Sequence, residues 1–198
     1  MHTQNLSHSA SAPLRAIVAL PLISLIGFGL AYSLLGAGLG RAMFPHTATG
    51  SLVMRGDVVV GSALVAQPFA DLRYAMPRPS AAKYDPMAAA GSNMGRSNPD
   101  LATRIAEDTA TVARRENVAP ASVPFDLVTQ SGSGLDPHIS PEAARLQVSR
   151  IAKARGLPEA EVARIVEQAI EAPQFGLLGA PRVNVLALNL ALDAKQGH

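Results

Sequence analysis

The first apolar block of this chain is unbroken. Between Arg15 and Arg41 lie 25 residues, Ala16 to Gly40, without a charge. A bilayer's hydrocarbon core takes roughly 20 mostly apolar residues as helix, so the block is long enough to span with some tilt. Beyond it the pattern turns mixed and periodic, as in a domain that meets water. The expected organisation is a short tail over 1–13, a transmembrane helix over 14–40 and one mixed domain over 41–198.

A cleaved signal peptide is the competing reading of the block, with an apolar region from Ala16 to Leu30 and Ala31-Tyr32-Ser33 as a small-residue cleavage site. Retention is favoured because the run continues to Gly40, longer than a signal needs. Pro21 can kink such a helix but is tolerated in membranes. Gly29, Ser33 and Ala37 recur every four residues, and Gly36-x-x-x-Gly40 adds a second small pair. That spacing lets helix backbones approach closely, so Gly29, Ser33, Gly36, Ala37 and Gly40 are expected to pack on partner membrane helices. Small residues are also simply common in such helices. Arg15 stands on one side and Arg41 and Arg55 on the other, so charge does not set the orientation.

Downstream, Phe44-Pro45 and Thr47 to Ser51 read as an exit loop. Leu52-Val53-Met54 and Val58-Val59-Val60 predict two short strands around Arg55-Gly56-Asp57, with a β-branched run continuing to Val65. Gly56-x-x-x-x-Gly61-Ser62 has phosphate-loop spacing but no Lys and a strand-like middle. Phe69 to Pro99 shows no period and holds four prolines; such stretches are functional or disordered, and Tyr74, Arg78, Lys83 and Tyr84 mark this one as an ordered interaction loop. Pro99 to Glu116 predicts a helix capped by Asn98, with Leu101, Ile105 and Val112 inward and Arg104, Glu107, Asp108, Arg114 and Arg115 in solvent. Phe125 to Thr129 reads as a short strand. Ser140 caps a helix from Pro141 to Arg155, stopped by Gly156. A further helix starts at Pro158 and buries Val162, Ile165, Val166, Ala169 and Ile170; Pro173 ends it. Pro181 to Leu192 could be strand or helix, the lean being to a helix capped by Asn184. The fold class is therefore α/β (α+β), anchored by one N-terminal helix.

Composition narrows the chemistry. There is no Cys, which excludes a disulfide framework, a Cys nucleophile and a lipid-anchor Cys. Aromatics are only 4%, so aliphatic residues must build the core. All 15 acids lie from Asp57 onward against 14 of the 17 Lys and Arg, so the domain is near neutral, with no basic stripe for nucleic acid. Ser131, Ser133, Asp136 and His138 invite a catalytic triad, but triad members converge from separate parts of a chain. A Gly/Pro loop whose side chains serve local backbone donors is the simpler account. Asp136-x-His138 offers two metal ligands without a partner pair. No catalytic, cofactor-binding or metal residue is expected.

The residues quoted above, with Gly61-Ser62-Ala63-Leu64, Gln67-Pro68-Phe69, Arg78-Pro79-Ser80, Tyr84-Asp85-Pro86, Gly91 to Gly95, Asp126 to Pro141 and Gly179 to Leu192, resemble C subunits of the bacterial potassium-importing P-type ATPase, the Kdp system. Ala66 and Ala90 stand where that family carries Gly, and Arg96 where it carries Pro. The resemblance implies a single-pass inner-membrane subunit with its N-terminus in the cytoplasm and its domain outside. It implies a channel-like A subunit, an ATP-hydrolysing B subunit and a small F subunit as partners. ATP and K+ would be used by the complex, and this subunit would support assembly and act as a catalytic chaperone raising the B subunit's affinity for ATP. Arg78, Tyr84, Asn93, Ser133, Asp136 and His138, on the two irregular loops, are the expected partner contacts. The alternative from another class is a stand-alone anchored envelope domain that binds a small ligand; a weaker one is an envelope hydrolase using the Ser131–His138 loop.

Overall fold

The computed structural model describes residues 14–196; the expected tail over 1–13 lies outside them. Two units are distinct, one up to Gly50 and one from Ser51 onward. The first is dominated by helix α1, Leu14–Met43, none of whose residues is buried. Pro21 sits inside it without ending it. Residues Leu25–Ala31 widen into a π-helical stretch, closed where the Tyr32 N–H donates to the Gly27 carbonyl five residues back. The expected exit loop contains one helical turn, α2, Pro45–Ala48, for which Pro45 supplies a ready-made first position.

The second unit is of the α+β kind, because all its strand pairs are antiparallel. Strands β1 (Leu52–Arg55) and β2 (Val58–Ser62) form the expected hairpin, turned at Gly56 with φ of 59° and bulged between Val53 and Met54. The spacing that mimics a phosphate loop is therefore a hairpin. The strand stops at Ser62, short of Val65.

Helix α3, Pro99–Glu116, has the expected start: the Asn98 carboxamide accepts the Asp100 N–H. It ends on Asn117 in the left-handed conformation. Its polar face needs correction. Only Glu107 and Arg114 are exposed as expected; Asp108, Arg115 and Arg104, which is bonded to Gln130, are half-buried, and the helix's last residue, Glu116, is buried. The expected strand at Phe125–Thr129 is instead a 3₁₀ turn, Phe125–Leu127, which buries Leu127 and Val128 on consecutive positions. Strand alternation would have turned one of them outward.

The helix expected from Pro141 to Arg155 is capped by Ser140 and stopped at Gly156, but it breaks at Gln147 into α4 (Pro141–Leu146) and α5 (Val148–Arg155). Helix α6, Glu159–Gln168, takes Pro158 as the residue before its start. Val162, Ile165 and Val166 are buried as predicted, but Ile170 belongs to a strand. The tail contains both alternatives: β5 (Arg182–Asn184) precedes α7 (Val185–Gln196), and Asn184 accepts the Ala187 N–H as its cap. β5 is the centre of a three-stranded sheet between β3 (His138–Ile139) and β4 (Ile170–Glu171).

The core is aliphatic, centred on Ile151, Val162, Val166, Val183, Leu188 and Leu192. Through it passes backbone with no strand partner. Ala75 is fully buried, yet it lies in the irregular stretch that begins at Phe69. A buried peptide group costs free energy unless it is hydrogen-bonded. Side chains from the helices supply the bonds. Asn189 pairs with both the N–H (2.7 Å) and the carbonyl (2.9 Å) of Ala75. Gln147 does the same for Met76, at 2.8 and 3.2 Å. Arg150 donates to the carbonyls of Leu72 and Tyr74, and Arg155 to that of Arg73. Arg150 is itself paired with buried Glu116 at 2.9 Å, and Arg155 with Asp193 at 3.0 Å while lying over the Tyr74 ring.

Asn189→Leu keeps the volume but leaves the Ala75 N–H and carbonyl without partners. We expect it to lose about 1–3 kcal/mol of unfolding free energy for each orphaned group, read from urea midpoints.

Candidate functional site

Two features answer to the residues singled out in the sequence. The first is the small-residue face of α1. Among the described residues, and leaving aside the helix's own backbone, a methyl group added at Gly36 or Gly40 meets no atom within 4 Å, and at Gly29 it meets Leu25 in ordinary contact at 3.5 Å. The chain's own packing therefore does not demand glycine there. The π stretch sweeps a smaller angle per residue than an α-helix, which draws Gly29 closer into line with Ser33.

The second feature is a polar seam where the two irregular loops meet. The guanidinium of Arg78 donates to Asp136 at 3.0 Å and to the Thr129 carbonyl at 3.4 Å. The Tyr84 hydroxyl returns to the Arg78 carbonyl at 2.9 Å, and its N–H reaches the Ser80 hydroxyl at 2.9 Å. Ser80 in turn donates to the Gly134 carbonyl. Backbone meets backbone beside these bonds. A Cβ on Gly91 would come within 2.9 Å of the Gly132 carbonyl oxygen, and one on Gly134 within 2.6 Å of that of Ala90. Five of the six expected contact residues, Arg78, Tyr84, Ser133, Asp136 and His138, lie along this seam. Asn93 does not join them; it is exposed, with a left-handed φ of 51°, two residues beyond the Gly91 contact. Ser80, Gly91 and Gly134 stand in the motifs that carry the resemblance but were not among the expected contacts, although paired glycines in separate loops are the signal of close backbone approach.

The seam is not arranged as a triad. Ser131 and Ser133 bond to each other and to the N–H groups of Gly134 and Leu135. The His138 ring faces Asp136 at 3.5 Å, and the His138 N–H also donates to Asp136 at 3.0 Å. Among the described residues no three His, Asp or Glu side chains gather as a metal site. The rest of the loop is stapled to the fold: the Leu135 carbonyl accepts the Ala66 N–H, and the Pro137 carbonyl accepts the Val185 N–H.

Electrostatics tightens the seam. Burial pushes the Asp136 carboxyl up, but the His138 ring, the His138 N–H and Arg78 together outweigh it and hold the group below its ordinary value of 3.8. A depressed carboxylate stabilises the fold above its unfolded value and loses that contribution as pH falls through the folded one. The window is thus below about pH 4. Asp193, held down by Arg55, Arg155 and Tyr74 against its own burial, loses its share in the same window. In melting curves between pH 3 and pH 5, Asp136→Asn should show a shallower acid loss than the unmodified chain, but not a flat one.

Comparison with known proteins adds to this geometry. Residues 14–194 match the family model of KdpC, the K+-transporting ATPase c chain. A potassium-transporting ATPase KdpC subunit of Xanthomonas oryzae pv. oryzae is 63% identical over 91% of this chain and 86% of that protein. Those of Sorangium cellulosum (53% identical, over 89% of this chain and 94% of that protein) and Shewanella putrefaciens (46%, over 100% and 97%) are similar along nearly their whole length. The matched span takes in the apolar helix, the seam and all but the last two residues of the last helix. On these grounds the chain belongs to the KdpC family, the c chains of K+-transporting ATPases.

Proposed function

We propose that this chain is the accessory subunit of an ATP-driven, high-affinity potassium-uptake complex. Helix α1 anchors it in the bacterial inner membrane with its N-terminus in the cytoplasm and its domain on the far side. Its partners are the channel-like A subunit, the ATP-hydrolysing B subunit and the small F subunit. It supports their assembly and raises the B subunit's affinity for ATP, while the ATP and K+ are handled by the complex rather than by this chain.

The observation that carries the reading is a helix of 30 residues whose glycines meet almost nothing among the described residues, in a member of a c-chain family. A plain anchor has no use for a narrow face, whereas helices that must approach one another do. The chaperone role needs a coupling account. A domain outside the membrane cannot touch cytoplasmic ATP, so it changes ATP affinity only by binding one state of the transporter better than another. The seam, with its paired glycines and half-buried Arg78–Asp136 ion pair, gives that domain a fixed surface with which to distinguish two states. Arg78, Tyr84, Asn93, Ser133, Asp136 and His138 are the residues we assign to it.

Affinity purification of the tagged chain from mild detergent, after growth in low potassium, should recover a P-type ATPase and a multi-span potassium subunit with potassium-stimulated ATPase activity. Recovery of the folded chain alone would defeat the proposal. Replacing Gly29, Ser33, Gly36 and Ala37 together by Leu should leave insertion and domain folding intact, because Leu is a good helix former. Co-purified ATPase should fall about tenfold, equivalent to roughly 1.4 kcal/mol of lost packing.

A further inference from the structure

Between Glu171 and Arg182 the chain carries ten uncharged residues, Ala172 to Pro181, and turns back on itself at an apolar tip. Phe175, Leu177 and Leu178 are 84%, 86% and 61% exposed. The tip is not slack. Gln174 and Leu178 exchange both backbone hydrogen bonds at 2.9 Å, the Gly176 N–H reaches the Pro173 carbonyl at 2.9 Å, and the Leu177 N–H reaches that of Gln174 at 3.2 Å. At the root, Arg182 and Glu171 form an ion pair at 2.9 Å beside the β4–β5 pairing.

The conformation of the tip is costly. Phe175 has φ of 56° and Gly176 of 74°, two left-handed residues in a row. A bulky L-residue rarely adopts that conformation, and Asn or Gly would occupy it with less strain. The fold thus holds a strained phenylalanine pointing into solvent, where it contributes nothing to the core.

We propose that this tip is a docking finger, and that its occupant is an uncharged apolar socket on another chain of the same K+-transporting ATPase. The proposal rests on the accessory-subunit reading. Three arguments select that occupant. The finger offers on the order of 400 Å² of side chain, about half of what one partner contributes to a free-standing interface. It therefore serves a neighbour already held close by other contacts, and not a second copy of this chain. A rigid turn gains affinity only against a partner of fixed shape, since it has no ordering left to undergo. A lipid surface accepts any apolar shape, and interfacial segments carry Lys or Arg for headgroups, which the finger lacks. Its layout, an aromatic anchor with a charged pair at the rim, is that of an interface hot spot.

The test is photocrosslinking in the intact complex. A benzophenone-bearing phenylalanine analogue is placed at position 175 of the full chain, which is co-expressed with the other chains of its ATPase, purified and irradiated. A crosslink to another chain of the ATPase, located by mass spectrometry, supports the proposal. Crosslinks confined to lipid or to a second copy of this chain, or none in a complex that has assembled, overturn it. Failure of the unmodified chain to bring down any ATPase would defeat the accessory-subunit reading and this inference with it. The Phe175→Asn variant supplies a second readout. We expect the chain's melting temperature to rise, because strain is relieved, while its retention in the complex on detergent dilution falls about tenfold. A purely structural tip would give a lower melting temperature and unchanged retention, and would overturn the proposal.

Discussion

A peptide group taken out of water must find a hydrogen-bond partner, and in this domain that requirement falls on a segment with no sheet to join. Residues 72–76 run as irregular chain from exposed Leu72 to fully buried Ala75. Their carbonyls and N–H groups are met by Gln147 at the break between α4 and α5, by Arg150 and Arg155 of α5 and by Asn189 of α7. The two arginines in turn need Glu116 and Asp193, because a buried charge without a counter-charge is costly. Helices α3, α5 and α7 are thereby drawn around one loop. Elsewhere small strands or an apolar stripe would do this work; here buried amides and guanidinium groups do it.

The same requirement explains how the polar seam can be rigid without regular structure. Arg78 and Tyr84 leave the buried segment within a few residues, so their backbone is already positioned when it meets the 131–138 loop. Glycines let the two backbones touch, and Asp136 is fixed from three directions. A surface cross-bonded in this way has little conformational freedom left to lose on binding. That suits a subunit whose proposed effect depends on preferring one transporter state, since a compliant surface would fit both.

Much of this architecture was legible in the chain because its signals are local. Asn98-Pro99 and Ser140-Pro141 place the helix starts, Gly156 ends α5, and the spacing of Val162, Ile165 and Val166 gives the buried face of α6. The uncharged run marks α1 with almost no ambiguity. What escaped has no local signature. Strands β3, β4 and β5 are two or three residues long, too short for alternation to register. Gln147 breaks a helix because of what it bonds to seventy residues away, and nothing in its neighbours says so. Glu116 and Arg150 look like solvated charges in any window of sequence. The seam was half legible: its residues drew attention as loop polar groups, but their convergence depends on tertiary placement. The 175–178 tip drew no expectation, because exposure of an apolar side chain cannot be read from composition.

The bonds that hold residues 72–76 also set a timetable. Ala75 waits for Asn189, Ala63 for Asn184 and Arg55 for Asp193, partners separated by 114, 121 and 138 residues. Contacts this distant in sequence are slow to form, because a long loop must close before any of them is made. The early hairpin and the loop after it cannot reach their final state until the last helix has left the ribosome. Helix α1, long and apolar enough to cross a membrane, is by contrast complete at Met43. On the proposed anchoring, each new molecule is therefore held well before it is folded, and during that interval its domain is an open chain on a fixed tether.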